Sequence, residues 1–196
     1  MKKIVLATTN QHKLKEVKSI LDGYEILSLK DIGFSGEIEE TGDTAEENSK
    51  IKAVAVADYC KNNNLDYAVI ADDAGLFVDA LDGAPGVHSA RFASDHNDEA
   101  NRQKLLKCLD GVGNRNAYFK CAICYVYKDE IHFFVGKTFG FITTEKIGSD
   151  IFGYDCLFHS KDLDKTFGEA SEEEKNSVSH RGRAVLELKQ WLDINK

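Results

Sequence analysis

Proline, tryptophan and methionine each occur once in this 196-residue chain, and no apolar run is long enough to cross a bilayer. There is no internal repeat, low-complexity tract or linker-like stretch, so residues 1–196 read as one domain, long enough to bury a substantial core. A formal net charge of -8 argues against a broad surface for nucleic acid or acidic membrane. It leaves room for a locally positive cleft that takes a small anion. The five cysteines are odd in number and lack paired spacing, which speaks against a disulfide framework and for reduced thiols inside a cell. The opening Met1-Lys2-Lys3-Ile4-Val5-Leu6-Ala7 turns polar too soon for a signal peptide and reads as a first strand, so a cytoplasmic location is expected.

Hydrophobic residues at 42% and charged residues at 30% are ordinary for a folded soluble protein. Lys3 to Thr8 is a β-rich run, and Asn10 can cap a helix that carries Leu14, Val17, Ile20 and Leu21 at helical spacing before Gly23 stops it. Glu25 to Leu29 predicts a second strand. Thr44 with Glu47 forms a capping box opening a helix with Ile51, Val54 and Ala55 on one face. Tyr67 to Ala71 predicts a buried strand ending at Asp72-Asp73, Gly75 to Leu81 a further strand, and Gly83 to Gly86 a loop. A helix follows Asn97 or Asp98 with Leu105, Leu106 and Leu109 inward. Two aromatic, β-branched strands flank a turn at Lys128-Asp129-Glu130, predicting a hairpin. In the first of them Cys121 and Cys124 lie three apart, hence on opposite faces, which reads as two ordinary strand cysteines rather than a zinc or redox pair. Ser171 with Glu174 is a second capping box, and Arg183 to Leu192 a last helix burying Val185, Leu188 and Leu192. The class is α/β, one mixed domain with strands and helices interleaved and a long antiparallel hairpin inside.

Four segments put polar residues and glycines where a scaffold does not need them. Thr8-Thr9-Asn10-Gln11-His12-Lys13 joins the first strand to the first helix, where free amides, the helix dipole, short donors and a lysine can seat phosphate. It lacks the glycines of a P-loop or Rossmann fingerprint. Glu37-Ile38-Glu39-Glu40-Thr41-Gly42 clusters carboxylates before the helix bearing Lys50 and Lys52, as a magnesium site could, or simply as a solvated acidic loop. Ala71-Asp72-Asp73-Ala74-Gly75 places two acids at a strand end, where open α/β sheets bind ligands; one could both hold a metal and take a proton from water. Phe152-Gly153-Tyr154-Asp155, with Lys175 and Ser179-His180-Arg181-Gly182, offers a flat ring for stacking and donors that suit the O6 and N7 acceptors of a purine.

In this order, the segments closely resemble the inosine triphosphate pyrophosphatase family, which hydrolyses non-standard purine triphosphates such as ITP, dITP and XTP to monophosphate and pyrophosphate. The likeness runs nearly end to end, through Ala7 to Lys13, Glu39 to Gly42 with Glu47, Asn48 and Lys52, Ala71 to Leu76, Gly83 to Arg91, Phe152 to Asp155, and Glu174-Lys175 with Ser179 to Gly182. It implies that Thr8, Thr9, Asn10, Gln11, His12, Lys13 and Lys52 embrace the triphosphate. Glu39 and Asp73 would hold Mg2+, with Asp73 also the proton acceptor and Lys13 and Asp72 in support; Glu40 stands beside Glu39 as the alternative loop ligand. Ala74, Phe152, Gly153, Tyr154, Asp155, Lys175, His180 and Arg181 would surround the nucleoside. It further implies an elongated mixed β-sheet flanked by helices, two lobes with the active-site cleft between them, and a homodimer. Four places depart from the family pattern: Ala74 for serine, Cys156 for proline, His88 for tyrosine, and Ser149-Asp150-Ile151 for a glycine-rich approach. They bear on the shape of the base pocket, not on the presumed metal ligands. The rival readings are a pyrophosphatase for modified pyrimidine nucleotides and a non-catalytic nucleotide sensor.

Overall fold

The computed structural model describes residues 3–150 and 152–195. Met1 and Lys2 of the expected first strand, and Ile151 before Phe152, lie outside them. In chain order the elements are β1 (Lys3–Leu6), α1 (Gln11–Ile20), β2 (Glu25–Leu27), α2 (Ala45–Asn62), β3 (Ala68–Val78), β4 (Pro85–Gly86), α3 (Asp98–Cys108), β5 (Asn116–Tyr127), β6 (Glu130–Ile142), β7 (Phe158–Ser160), β8 (Lys165–Thr166), α4 (Glu172–Val178) and α5 (His180–Ile194). The fold is mixed α/β, as expected. Its sheet has the order β2-β1-β3-β5-β6-β7-β8, with β4 paired to β3. The chain divides into two compact units, one formed by residues up to Asp73 with Cys121–Gly136 and the stretch from Arg181 onward, the other by Ala74–Lys120 and Lys137–His180.

In the first unit β1 lies between β2 and β3, parallel to both. Parallel strands need both faces covered, and Ile4, Val5 and Leu6 are all buried. Val5, Ala7, Ala53, Val56, Val69, Ala71, Cys124 and Val126 form one apolar cluster. The capping box at Thr44 and Glu47 opens α2 as the sequence predicts. The buried face of α2 differs from the expected one. Ile51, Val54 and Ala55 are only half-buried, and Asn48, Ser49, Lys52, Ala53, Val56 and Cys60 face inward. The reason is that Lys52 turns in to meet acids, which a pattern counting lysine as surface does not anticipate.

In the second unit β4 pairs antiparallel with the later part of β3, and β7 and β8 extend from β6 antiparallel. Its core gathers Leu76, Val78, Leu105, Leu109, Ile142, Leu157 and Phe158, all fully buried. Each such side chain stabilises the fold by roughly 1.5–3 kcal/mol relative to exposure. Leu106 is only half-buried.

Three further expectations are corrected. Asp72-Asp73 does not end a strand: β3 runs unbroken from Ala68 to Val78, and a 3₁₀ turn at Asp79–Leu81 stands where a second strand was expected to finish. Two acids survive inside a strand because cations meet them, as described below. Within Gly83 to Gly86, Pro85–Gly86 pairs as β4. The last helix starts at His180 rather than Arg183, and β7 and β8 are too short to show a period in sequence. Cys121 and Cys124 are buried free thiols, each pushed up to about 12 by burial.

Candidate active site

In the first unit the chain leaves β1 at Ala7 and caps α1 with Asn10, whose Oδ1 accepts from the amides of His12 at 2.9 Å and Lys13 at 3.3 Å. Thr8 Oγ1 accepts from the Asn10 amide at 3.2 Å, and Gln11 Nε2 donates to the Thr9 carbonyl at 3.4 Å. Thr9, Gln11 and His12 are exposed; Thr8, Asn10 and Lys13 are half-buried. A groove of about 600 Å³ opens beside this turn, with Thr8, Thr9 and Gln11 on one side and Ser28, Lys30 and Ser35 on the other. Hydroxyls, the Gln11 side-chain amide and the Lys30 ammonium are groups that can meet an anion there.

Asp72 and Asp73 point to opposite faces of β3, as neighbours on a strand must, and each meets its own cations. Asp72 Oδ2 lies 3.2 Å from Lys13 Nζ and 2.9 Å from Arg181 Nε. Arg181 Nη1 in turn reaches Glu16 Oε2 at 2.5 Å. Burial alone would raise the Asp72 pKa, but Lys13 and Arg181 hold it far below the usual carboxylate range. Among the described residues, its buried Oδ1 accepts no hydrogen bond. Asp73 Oδ1 lies 3.2 Å from Lys52 Nζ, which also reaches Glu40 Oε1 at 3.0 Å. Burial pushes the Asp73 carboxyl up, the Glu40 and Asp72 charges add to that, and Lys52 and Lys13 offset only part of it. Glu40, more open to water, is held below its ordinary value by Lys52 against the opposing effect of burial. Two neighbouring aspartates are thus set apart: Asp72 is locked as an anion, and Asp73 is kept more basic than an ordinary carboxylate.

Of the two loop acids, Glu40 is the one brought to Asp73 and Lys52; Glu39 is exposed. Sequence alone does not say which of the two turns inward.

The second unit holds the other expected residues, with Ala74 half-buried at its start. Lys175 Nζ meets Asp155 Oδ2 at 2.6 Å, 5.0 Å from the Phe152 ring centre and 5.9 Å from that of Phe167. His180 stacks on Phe119, centroids 4.7 Å apart and planes 14° off parallel. Tyr154 Oη donates to the Ser89 carbonyl at 2.9 Å. Gly153, at φ +50, receives Arg102 Nη1 on its carbonyl at 2.7 Å and gives its amide to Asp98 Oδ2 at 2.8 Å. The Phe152–Asp155 turn is therefore pinned from α3, with a glycine in the left-handed region at its bend.

His180 and Arg181, adjacent in sequence, fall in different units: the imidazole belongs to the aromatic group, and the guanidinium has its Nε and Nη1 committed to acids. Glu16, Phe119, Phe167, Asp98 and Arg102 are participants that sequence reasoning did not single out. Glu16 alone carried a signal, one helical turn beyond Lys13 and so on the same face of α1.

The profile of the Ham1 family matches residues 4–191 of this chain. A dITP/XTP pyrophosphatase of Bacillus licheniformis is 46% identical over 199 residues, covering 98% of this chain and 99% of the relative. The dITP/XTP pyrophosphatase of Bacillus subtilis strain 168 is 44% identical, covering 98% of both. Among solved structures, the Ham1 protein of Staphylococcus aureus superposes with a TM-score of 0.88 at 40% identity, covering 100% of both chains. A nucleoside-triphosphatase / dITP/XTP pyrophosphatase of Mycobacterium abscessus gives 0.74 at 39% identity, over 95% of this chain and 98% of that one.

Proposed function

The chain belongs to the Ham1 family, and from that membership and the charged cluster of its first unit we infer that it hydrolyses non-standard purine nucleoside triphosphates. Its substrates are dITP, XTP and ITP, and its products the monophosphate and pyrophosphate. The observation that carries this reading is the cluster itself. A basic carboxylate, Asp73, stands with two lysines and a helix-start anion surface in a chain 46% identical to a dITP/XTP pyrophosphatase.

A hard divalent cation suits this donor set. Asp73 and Glu40 already direct carboxylate oxygens at one positive centre, the Lys52 ammonium, at 3.2 and 3.0 Å. Magnesium is commonly held by one or two carboxylates plus substrate phosphates. Asp73 with Glu40 would therefore hold Mg2+, Glu39 being the neighbouring alternative, and the bound ion would neutralise charge on the phosphates. Asp73 accepts the proton of the attacking water. Thr8, Thr9, Asn10, Gln11, His12 and Lys13 seat the phosphates on amides, hydroxyls and an ammonium, and Lys13 and Lys52 offset the charge that grows on the departing pyrophosphate. Asp72 orients Lys13 and stays ionised while doing so. In the second unit Phe152 supplies the stacking face, and Gly153, Tyr154, Asp155, Lys175 and Ala74 the surroundings of the nucleoside. His180 is the candidate reader of the 6-keto edge; Arg181 acts through Asp72 unless it exchanges that partner for a base.

A homodimer is supported by β6, where Ile131, Phe133 and Val135 of the first unit and Phe139 and Phe141 of the second are apolar and 36–52% exposed. A cytoplasmic location is supported by five free thiols, which a reducing compartment preserves. No helix among the described residues is long and apolar enough to cross a membrane.

Hydrolysing XTP in oxygen-18 water tests the bond cleaved. Attack at the α-phosphorus puts the label in XMP and leaves pyrophosphate unlabelled. Label in free phosphate or pyrophosphate contradicts the reading.

A further inference from the structure

Asn48 lies in the first turns of α2 with none of its surface exposed. The two ends of its amide address different parts of the charged cluster. Oδ1 accepts from the Gly42 amide at 2.8 Å, and Nδ2 faces Asp73 Oδ2 at 3.5 Å, the long end of hydrogen-bond range. The same helix grips the next two residues, because Glu47 Oε2 accepts from the amides of Asp43 at 2.9 Å and Thr44 at 3.0 Å. A Cβ on Gly42 would stand 2.6 Å from Glu47 Cβ and 2.8 Å from Asn48 Oδ1, so only glycine lets the loop come this close. Two residues upstream, Glu40 reaches the ammonium it shares with Asp73. Where residue 42 is pinned therefore decides how far the Glu40 carboxylate stands from that of Asp73.

We propose that Asn48 is a positioning residue that ties the loop carrying Glu40 to Asp73, setting the gap between the two carboxylates in which a divalent cation is held. Asparagine suits the task because one planar group offers an acceptor and a donor at once. Alanine offers neither. The inference rests on the magnesium reading above and assigns the residue that shapes that site.

The test titrates the full-length chain with Mn2+ alone, following free ion by electron paramagnetic resonance, in wild type, Asn48→Ala, Gly42→Ala and the double variant. Thermal unfolding of each checks the fold. Each single variant weakens Mn2+ binding about tenfold, the scale on which groups behind metal ligands act. The double variant is no weaker than the worse single, because both break one link. The Mg2+ concentration that half-saturates XTP hydrolysis rises in parallel, while KM for XTP at saturating Mg2+ stays within about twofold. A folded variant that binds Mn2+ as wild type does overturns the role of Asn48, as do additive losses in the double variant. Should Asn48→Ala not fold, Gly42→Ala decides by the same criterion. Wild type that hydrolyses XTP as fast with every divalent cation chelated overturns the magnesium reading, and the inference with it.

Discussion

The first unit buries its charges and the second buries its rings. Asp72 and Arg181, in the first, are paired with side chains 1% and 3% exposed. In the second, His180 lies flat on Phe119, Phe119 packs against Phe158 and Phe167, and Lys175 sits over two rings while holding Asp155. Buried ion pairs are poor sources of stability, because desolvating both charges costs about as much as their attraction returns. A chain that keeps such a cluster keeps it for chemistry, and charge of this kind suits phosphate and metal. Stacked rings bind by area and shape, the means by which a flat base is held. The division predicts that damage to the first unit abolishes turnover on every substrate alike, and that damage to the second alters affinity and choice of base.

The largest expected effect is that of Asp73→Asn, which removes the proton acceptor. Turnover falls about a thousandfold on XTP and dITP equally, within the range for loss of a general base. A loss confined to one base breaks the comparison. Phe152→Ala comes next. Steady-state kinetics show KM for XTP up about tenfold with kcat little changed, as expected where one stacking face is lost. A thousandfold loss of kcat there would place chemistry in the second unit and undo the division. The smallest effect is a change in how stability falls with acid. Asp72 has a folded pKa well below its ordinary 3.8, so its contribution to stability is complete above that value and fades as pH falls towards the folded pKa. Denaturant melts of Asp72→Asn, taken from pH 7 downward, show a shallower acid decline than wild type. An equally steep decline contradicts the assignment.

Short-range features were the legible ones. Both capping boxes, at Thr44 with Glu47 and at Ser171 with Glu174, form as the spacing says, because each is closed within one helical turn. The β5–β6 hairpin, the Asn10 cap and the buried stripe of Val185, Leu188 and Leu192 are local in the same sense. What escaped depends on partners far along the chain. The Asp72-Asp73 pair reads as a strand end until Lys13, Lys52 and Arg181 are seen beside it, and Arg181 is 109 residues from Asp72. An apolar stripe does not point to Lys52 either, and so the inner face of α2 differs from the expected one. The choice between Glu39 and Glu40 depends on contacts between the loop and α2, such as that of Gly42 with Asn48, which leave no period in the sequence.

The measurement that bears most directly on the account is pyrophosphate release by the wild-type chain from dITP and XTP beside dGTP and ATP, with Mg2+ present. The account predicts a kcat/KM for dITP and XTP at least about a hundredfold above that for dGTP and ATP, the discrimination that paired or unpaired polar groups at a base edge can supply. Equal rates on all four, or no pyrophosphate from any, would contradict it.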